Sequence, residues 1–383
     1  SAEAIASFFG KPILVSITRV ASAGIILNSL CSVQVSILTK RMDFKRLTWI
    51  NMSSALVSGT TGLLIALKGY EVWALVFQTL AGNIIYVSGL WLTSNWRPTR
   101  AFSGESFRSM FSFGYKLLLQ GLAEVLFSRI YFPLIGKFSP VAELGFYTNA
   151  NRFHELFIKS TSSSVTRVMF PAFTAIQDDR ERFNRSYIRS FNVLSLMIFL
   201  LALMLIICSR PFIAVALTEK WMPAVPLMKV FFIEGFFFPM LMFNQYVLSS
   251  TGGSGLFLKI DAVRKLLTLI SIFLLFKYGI AALIAGQVIS TAITFVISTA
   301  TVVKIHRINL QSIALPSVSL LIILSLCFLF SYFIIEPLNT GDWGEMILKC
   351  LLVPAAYIAL SWLFNRGAFT EIIRLMKEQR PLR

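Results

Sequence analysis

Apolar runs recur along this chain at short intervals. Most approach the roughly 20 residues that a helix needs to cross the hydrocarbon layer. They predict helices over 13–38, 47–67, 72–93, 109–136, 146–172, 191–208, 225–250, 256–276, 279–303, 313–335 and 346–364. The connections are short and punctuated by Gly69, Pro98, Pro140, Pro211, Thr251-Gly252-Gly253, Gly279 and Pro337, residues that end helices. The residues before Gly10-Lys11-Pro12 read as the tail of one more span. Pro211–Pro223 reads as a piece lying at the membrane surface, anchored by Trp221. This patterning makes the chain an all-α polytopic membrane protein.

One run departs from the rule. From Gly145 to Gln177 the chain is long enough to cross a bilayer, yet it contains Arg152, His154, Glu155, Lys159 and Arg167. At helical periodicity Thr148, Arg152, Glu155, Lys159, Ser163, Thr166 and Phe170 share one meridian, and Ala150, Phe157, Val165 and Val168 lie opposite. Charge at membrane depth is costly, so such a stripe faces a bundle interior or a wet cavity and marks function. One carboxylate, Glu155, cannot neutralise both Arg152 and Lys159, and the stripe stays net positive.

Composition supports the membrane reading: of 383 residues, 56% are hydrophobic and only 14% charged. Soluble domains carry about 25% charged residues. The formal net charge of +17 would suit a nucleic-acid binder, but its distribution argues otherwise. Lys40, Arg41, Lys45 and Arg46 open an alternating set of connections that, with the C-terminal tail, holds twenty-one Lys and Arg, against six in the other set. That asymmetry places the basic connections and the C-terminus in the cytoplasm of a bacterial inner membrane protein, with membrane lipids as neighbours and no nucleic acid as partner. Eleven crossings then begin outside and end inside, so an odd number of helices would precede them if both ends of the whole protein are cytoplasmic. Four scattered cysteines and two histidines give no disulfide framework, metal site or cofactor motif.

Two other spans carry charge at depth. Lys116, Gln120 and Glu124 are spaced four apart in 109–136, with Arg129 pointing elsewhere. Lys229 and Glu234 flank Gly235 in 225–250, where Pro226 and Pro239 invite a bend. A net-positive cavity suits an anionic cargo, since arginine grips phosphate or carboxylate oxygens in pairs. The substrate-path candidates are therefore Arg152, Lys159, Glu155, Arg129, Lys116 and Lys229, and the candidate ion-coupling carboxylates are Glu124 and Glu234. His154 falls off the stripe and reads as a packed side chain. Arg129, Arg167 and Lys349 sit near helix ends, where long side chains can reach back to the interface. A faint internal echo pairs Gln34, Lys68 and Gln78 with Gln245, Lys277 and Gln287 and suggests a parallel repeat.

The segments Lys40-Arg41-Met42-Asp43-Phe44-Lys45, Gly69 with Val72-Trp73-Ala74-Leu75-Val76, Gly145-Phe146-Tyr147 with Asn151-Arg152, Phe170-Pro171-Ala172 and Glu219-Lys220-Trp221-Met222-Pro223-Ala224 resemble, in order and spacing, the polysaccharide-biosynthesis flippases of the multidrug/oligosaccharidyl-lipid/polysaccharide exporter superfamily, its colanic-acid-exporter-like members above all. The resemblance runs over about residues 1–307. It implies a two-lobe MATE/flippase-like helix bundle of fourteen helices, eleven of them in this sequence, working by alternating access. The implied division is 1–98, remnant of the N-lobe; 99–307, the C-lobe; and 308–383, two extra helices and a basic tail. The implied cargo is an undecaprenyl-pyrophosphate-linked oligosaccharide on its way to a surface polysaccharide, with a polymerase and chain-length enzymes as partners. The rival readings are a drug/cation antiporter of the same superfamily, which favours a carboxylate in the lumen, and a membrane polymerase or ligase. The latter needs a large external loop, and the longest external connection here, Ser209 to Ala224, is short.

Overall fold

A computed structural model describes residues 2–98, 103–338 and 340–364, and every regular element among them is a helix. Eight helical stretches are long and apolar enough to cross a membrane: Ile13–Lys40, Phe44–Leu67, Glu71–Thr93, Arg180–Ala216, Ala224–Ser250, Ile280–His306, Gln311–Leu338 and Gly341–Phe364. The other three predicted spans fall on Gly104–Arg129, on the continuous helix from Val141 to Thr174, and on Ser254–Leu275. Each has crossing length but carries more charge, so counting eleven crossings still depends on reading these three as spans.

The chain divides into two compact units, 1–137 and 138–383. In the first, Phe44–Leu67 and Glu71–Thr93 form a close antiparallel pair joined at Gly69, which takes the positive φ of 82° that ends the first helix. Small residues set their spacing. Ser54 Oγ donates to the Gly82 carbonyl at 2.8 Å and Ser58 Oγ to that of Gln78 at 2.9 Å, and a Cβ on Gly62 would lie 2.7 Å from Gln78 Oε1. Asp43 caps the first of the pair by accepting from the Arg46 amide and binds the Arg46 guanidinium at 3.1 Å. The apolar core here is small: Cys31, Leu38, Ile50 and Leu90.

The second unit is built on Arg180–Ala216, a 37-residue helix. It runs straight through Pro211, so the surface piece expected over 211–223 shrinks to the single turn Glu219–Trp221. One end of the core is aromatic: Phe173, Phe183, Tyr187, Phe191 and Phe243 are all buried, with Tyr187 stacked on Phe243 at 5.5 Å. Three polar side chains in this core find partners there. Tyr187 donates to Asn244 at 2.7 Å, Asn244 donates to Ser298 and Thr299, and Tyr357 donates to the Leu196 carbonyl at 2.9 Å.

Two helices in this unit lose regularity mid-course at charge-bearing positions, and a third, Gln311–Leu338, passes through a π-turn at Ser331–Ile335 near its end. The Val141–Thr174 helix passes through one π-helical turn at Glu155–Lys159. The helix predicted over 225–250 breaks at Glu234–Phe236, a 3₁₀ turn between Ala224–Ile233 and Phe238–Ser250, where Pro226 and Pro239 suggested a bend. Single π-turns and short 3₁₀ stretches inside helices are frequent at functional sites.

Candidate functional site

The π-turn changes which face each residue presents, because it inserts an extra residue and rotates the second half of the helix relative to the first. Ala150, His154, Ile158, Ser162 and Thr166 are buried at intervals of four, and this row packs against the rest of the unit. Thr166, placed on the charged meridian by straight-helix arithmetic, therefore belongs to the buried face. The charged residues lie on other faces: Arg152 and Arg167 are exposed, and Glu155 and Lys159 are partly exposed. Lys159 Nζ binds Glu155 Oε1 at 3.0 Å across one turn. The Arg152, Glu155 and Lys159 face thus turns away from the packed interior of its own unit.

The other predicted residues scatter. Lys229 is exposed, five residues from Glu234, and does not pair with it. Arg129 is exposed at the end of Gly104–Arg129, its guanidinium 5.4 Å from the Phe132 ring centre. Lys116 and Glu124 lie in that same helix, but their side chains fall outside the described residues. Lys349 does not reach back to an interface. It is buried, donates to the Ile207 carbonyl at 3.3 Å and pairs with Glu345 one turn before it.

Among the described side chains, Glu234 is the one predicted carboxylate that the fold encloses, at 1% exposure. A carboxylate removed from water needs partners for its lone pairs, and two neighbouring helices supply them. Gln287 Nε2 donates to Oε2 at 2.9 Å, and Thr291 Oγ1, one turn further along Ile280–His306, donates to Oε1 at 2.7 Å. His154 Nε2 stands 3.1 Å from Oε2, and its ring stacks on Phe231 with centroids 5.1 Å apart. A hydrogen bond in line with the imidazole N–H is not formed, and Nδ1 meets no hydrogen-bond partner among the described residues. The His154–Glu234 contact is therefore a close polar approach. It links the turn before the π-segment to the break at Glu234–Phe236.

Close packing holds this arrangement. Gly235 is buried, and a Cβ there would lie 2.6 Å from Ile158 Cδ1 and 3.2 Å from Ala202 Cβ. Only glycine admits both neighbours undisturbed. His154 and Thr291 were not singled out for this site from the sequence. The usable signal for His154 was its membership in the i+4 row of small and polar residues, a packing face rather than a polar stripe. Gln287 was visible only through the internal echo. Its fellows Gln34 and Gln245 are fully buried, and their amide atoms meet no partner among the described residues.

Comparison with solved structures places this fold with lipid II flippase MurJ in an inward closed conformation. The likeness covers 93% of this chain and 76% of that one, at a TM-score of 0.73 and 16% identity. The fold is thus that of a multi-span, flippase-like helical membrane protein. Residues 1–226 match the polysaccharide biosynthesis protein family, and the chain belongs to it. The succinoglycan biosynthesis transport protein ExoT of Rhizobium meliloti is 25% identical over 67% of this chain and 52% of its own length. The teichuronic acid biosynthesis protein TuaB of Bacillus subtilis is also 25% identical, over 82% of this chain and 65% of its own length. The lipopolysaccharide biosynthesis protein WzxC of Escherichia coli is 22% identical over 52% of this chain and 41% of its own. The chain thus spans between two fifths and two thirds of these relatives.

Proposed function

We propose that this chain forms part of a transporter that moves a polyprenyl-pyrophosphate-linked oligosaccharide across the bacterial inner membrane, by alternating access, for surface polysaccharide synthesis. Family membership and the names of the relatives support the class. The observation that carries the residue-level reading is the Arg152, Glu155 and Lys159 face, which turns away from its own unit's interior at membrane depth. Of its two cations, only Lys159 is matched to the single carboxylate. A diphosphate passing along this face meets Arg152 as a two-pronged donor and Lys159 as a point charge. The C-terminus lies in the cytoplasm, and the anionic cargo leaves the cytoplasmic leaflet for the outer one.

The antiporter alternative calls for a carboxylate open to the lumen, and the carboxylate in hand, Glu234, is sealed by Gln287, Thr291 and His154. Glu234 acts instead between helices.

Complementation tests the path. The full-length protein with Arg152→Ala and Lys159→Ala is expressed in a strain lacking its own surface-polysaccharide exporter. Surface display falls at least tenfold while protein level stays normal; unchanged display overturns the path. A periplasm-active reporter fused after Leu338 is active and one fused after Gly252 is silent, and the reverse pattern overturns the orientation.

A further inference from the structure

Two of the four cysteines face each other. Cys208 on Arg180–Ala216 and Cys350 on Gly341–Phe364 are 142 residues apart in the chain, and their Sγ atoms lie 4.0 Å apart. Both are free thiols, Cys350 exposed and Cys208 partly so, whereas Cys31 and Cys327 are buried. The site lies at the polar end of the unit, where charged groups gather. Lys349 binds the Ile207 carbonyl and Glu345, and Arg210 approaches Glu336 at 3.8 Å. Beside the thiols lies an apolar cavity of about 190 Å³ lined by Phe157, Met204, Met228 and Met346, among others. Phe157 belongs to the π-turn.

We propose that Cys208 and Cys350 are a disulfide-forming site that staples the Gly341–Phe364 helix to Arg180–Ala216. A bond between them needs an approach of about 2 Å, within reach of side-chain rotation in helices already in contact. The chemistry is thiol–disulfide exchange with a small-molecule or protein disulfide donor. The Cys350 thiolate, the more accessible, attacks one sulfur of the donor and releases one donor thiol. The Cys208 thiolate then attacks the Cys350 sulfur of the mixed disulfide and releases the second. Two protein thiols give up two electrons and two protons, and the donor disulfide leaves as two thiols. The closed ring fixes one wall of the cavity against the π-turn. Its formation in the cell rests on the orientation proposed above, which puts this end of the bundle in the oxidising periplasm.

The test uses the full-length protein in detergent. It is incubated with oxidised glutathione, blocked with N-ethylmaleimide, digested without reductant and read by mass spectrometry. The expected product is a Cys208–Cys350 linked peptide in most molecules, absent after dithiothreitol, with Cys31 and Cys327 unchanged. Both thiols recovered as maleimide adducts, or a glutathione adduct persisting on Cys350, overturns the proposal. The same digest is run on cells quenched with acid and alkylated at once. The linked peptide there supports both site and orientation. Its absence from cells, with formation in detergent, upholds the site and overturns the orientation.

Discussion

Gly235→Ala is a stringent test of the packing around Glu234. The added Cβ would stand 2.6 Å from Ile158 Cδ1 and 3.2 Å from Ala202 Cβ, where carbon contacts settle at about 3.5–4.0 Å. Roughly 1 Å of give is needed, and Ile158, 1% exposed, has little room to supply it. Overpacking of this kind costs about 1–3 kcal/mol. Loss of glycine's freedom in the unfolded chain returns about 0.4–1 kcal/mol, leaving a net loss of ~1–2 kcal/mol. Ile158→Val removes the clashing Cδ1, and the next atom, Cγ1, would sit 3.6 Å away. That change alone costs about 0.5–1.5 kcal/mol for its lost methyl. The two changes made together should lie close to Ile158→Val alone, a coupling of about 1 kcal/mol in favour of the pair. Thermal unfolding in detergent, followed by fluorogenic maleimide labelling of buried Cys327, reads all four proteins. Gly235→Ala melts several degrees lower, and the double variant melts close to Ile158→Val alone. Strict additivity of the two losses, or an unchanged melting temperature for Gly235→Ala, refutes the close approach.

Glu234→Ala leaves a buried unpaired donor on Thr291 and a partly buried one on Gln287 and should cost about 2–3 kcal/mol in the same melting assay; Glu234→Gln, which still accepts through its remaining carbonyl oxygen, should cost less than half as much. Tyr357→Phe removes only its hydroxyl bond to the Leu196 carbonyl and should lower stability by about 1 kcal/mol, read as a small drop in melting temperature. Thr218 holds φ 85° and ψ 162°, a conformation that suits only glycine, so Thr218→Gly should gain about 1 kcal/mol and raise the melting temperature.

Much of the fold was legible because a membrane imposes long period-3.6 runs with clear breaks. The breaks at Gly69, Gly252 and Gly279 all carry positive φ, the conformation that glycine alone takes without cost. The family was legible from five short segments in order. Register within the charged helix was not. Straight-helix arithmetic assigns every residue a face, but one π-turn at Glu155–Lys159 shifts the second half, and no local residue choice announces it. Pro211 misled in the other direction, since a proline that ends many helices here sits inside one. Its environment, set by packing against Gly341–Phe364 and its neighbours, overrides the local preference.

The buried cluster was missed for a deeper reason. A sequence reading looks for charge that repeats on one face, which finds solvated stripes such as Arg152, Glu155 and Lys159. A satisfied interior carboxylate draws its partners from distant segments: His154, Glu234 and the Gln287–Thr291 pair come from three helices. What the sequence did mark was the place where such a group can exist. Pro239, which has no amide proton to donate, opens the helix after the break, and the 3₁₀ turn at Glu234–Phe236 brings the Glu234 side chain toward Gln287 and Thr291. The same turn requires a glycine where Ile158 presses in, one turn from His154. The two irregular turns are thus coupled by packing as well as by charge. The Val141–Thr174 helix carries both the buried His154 contact and the exposed Arg152 and Arg167.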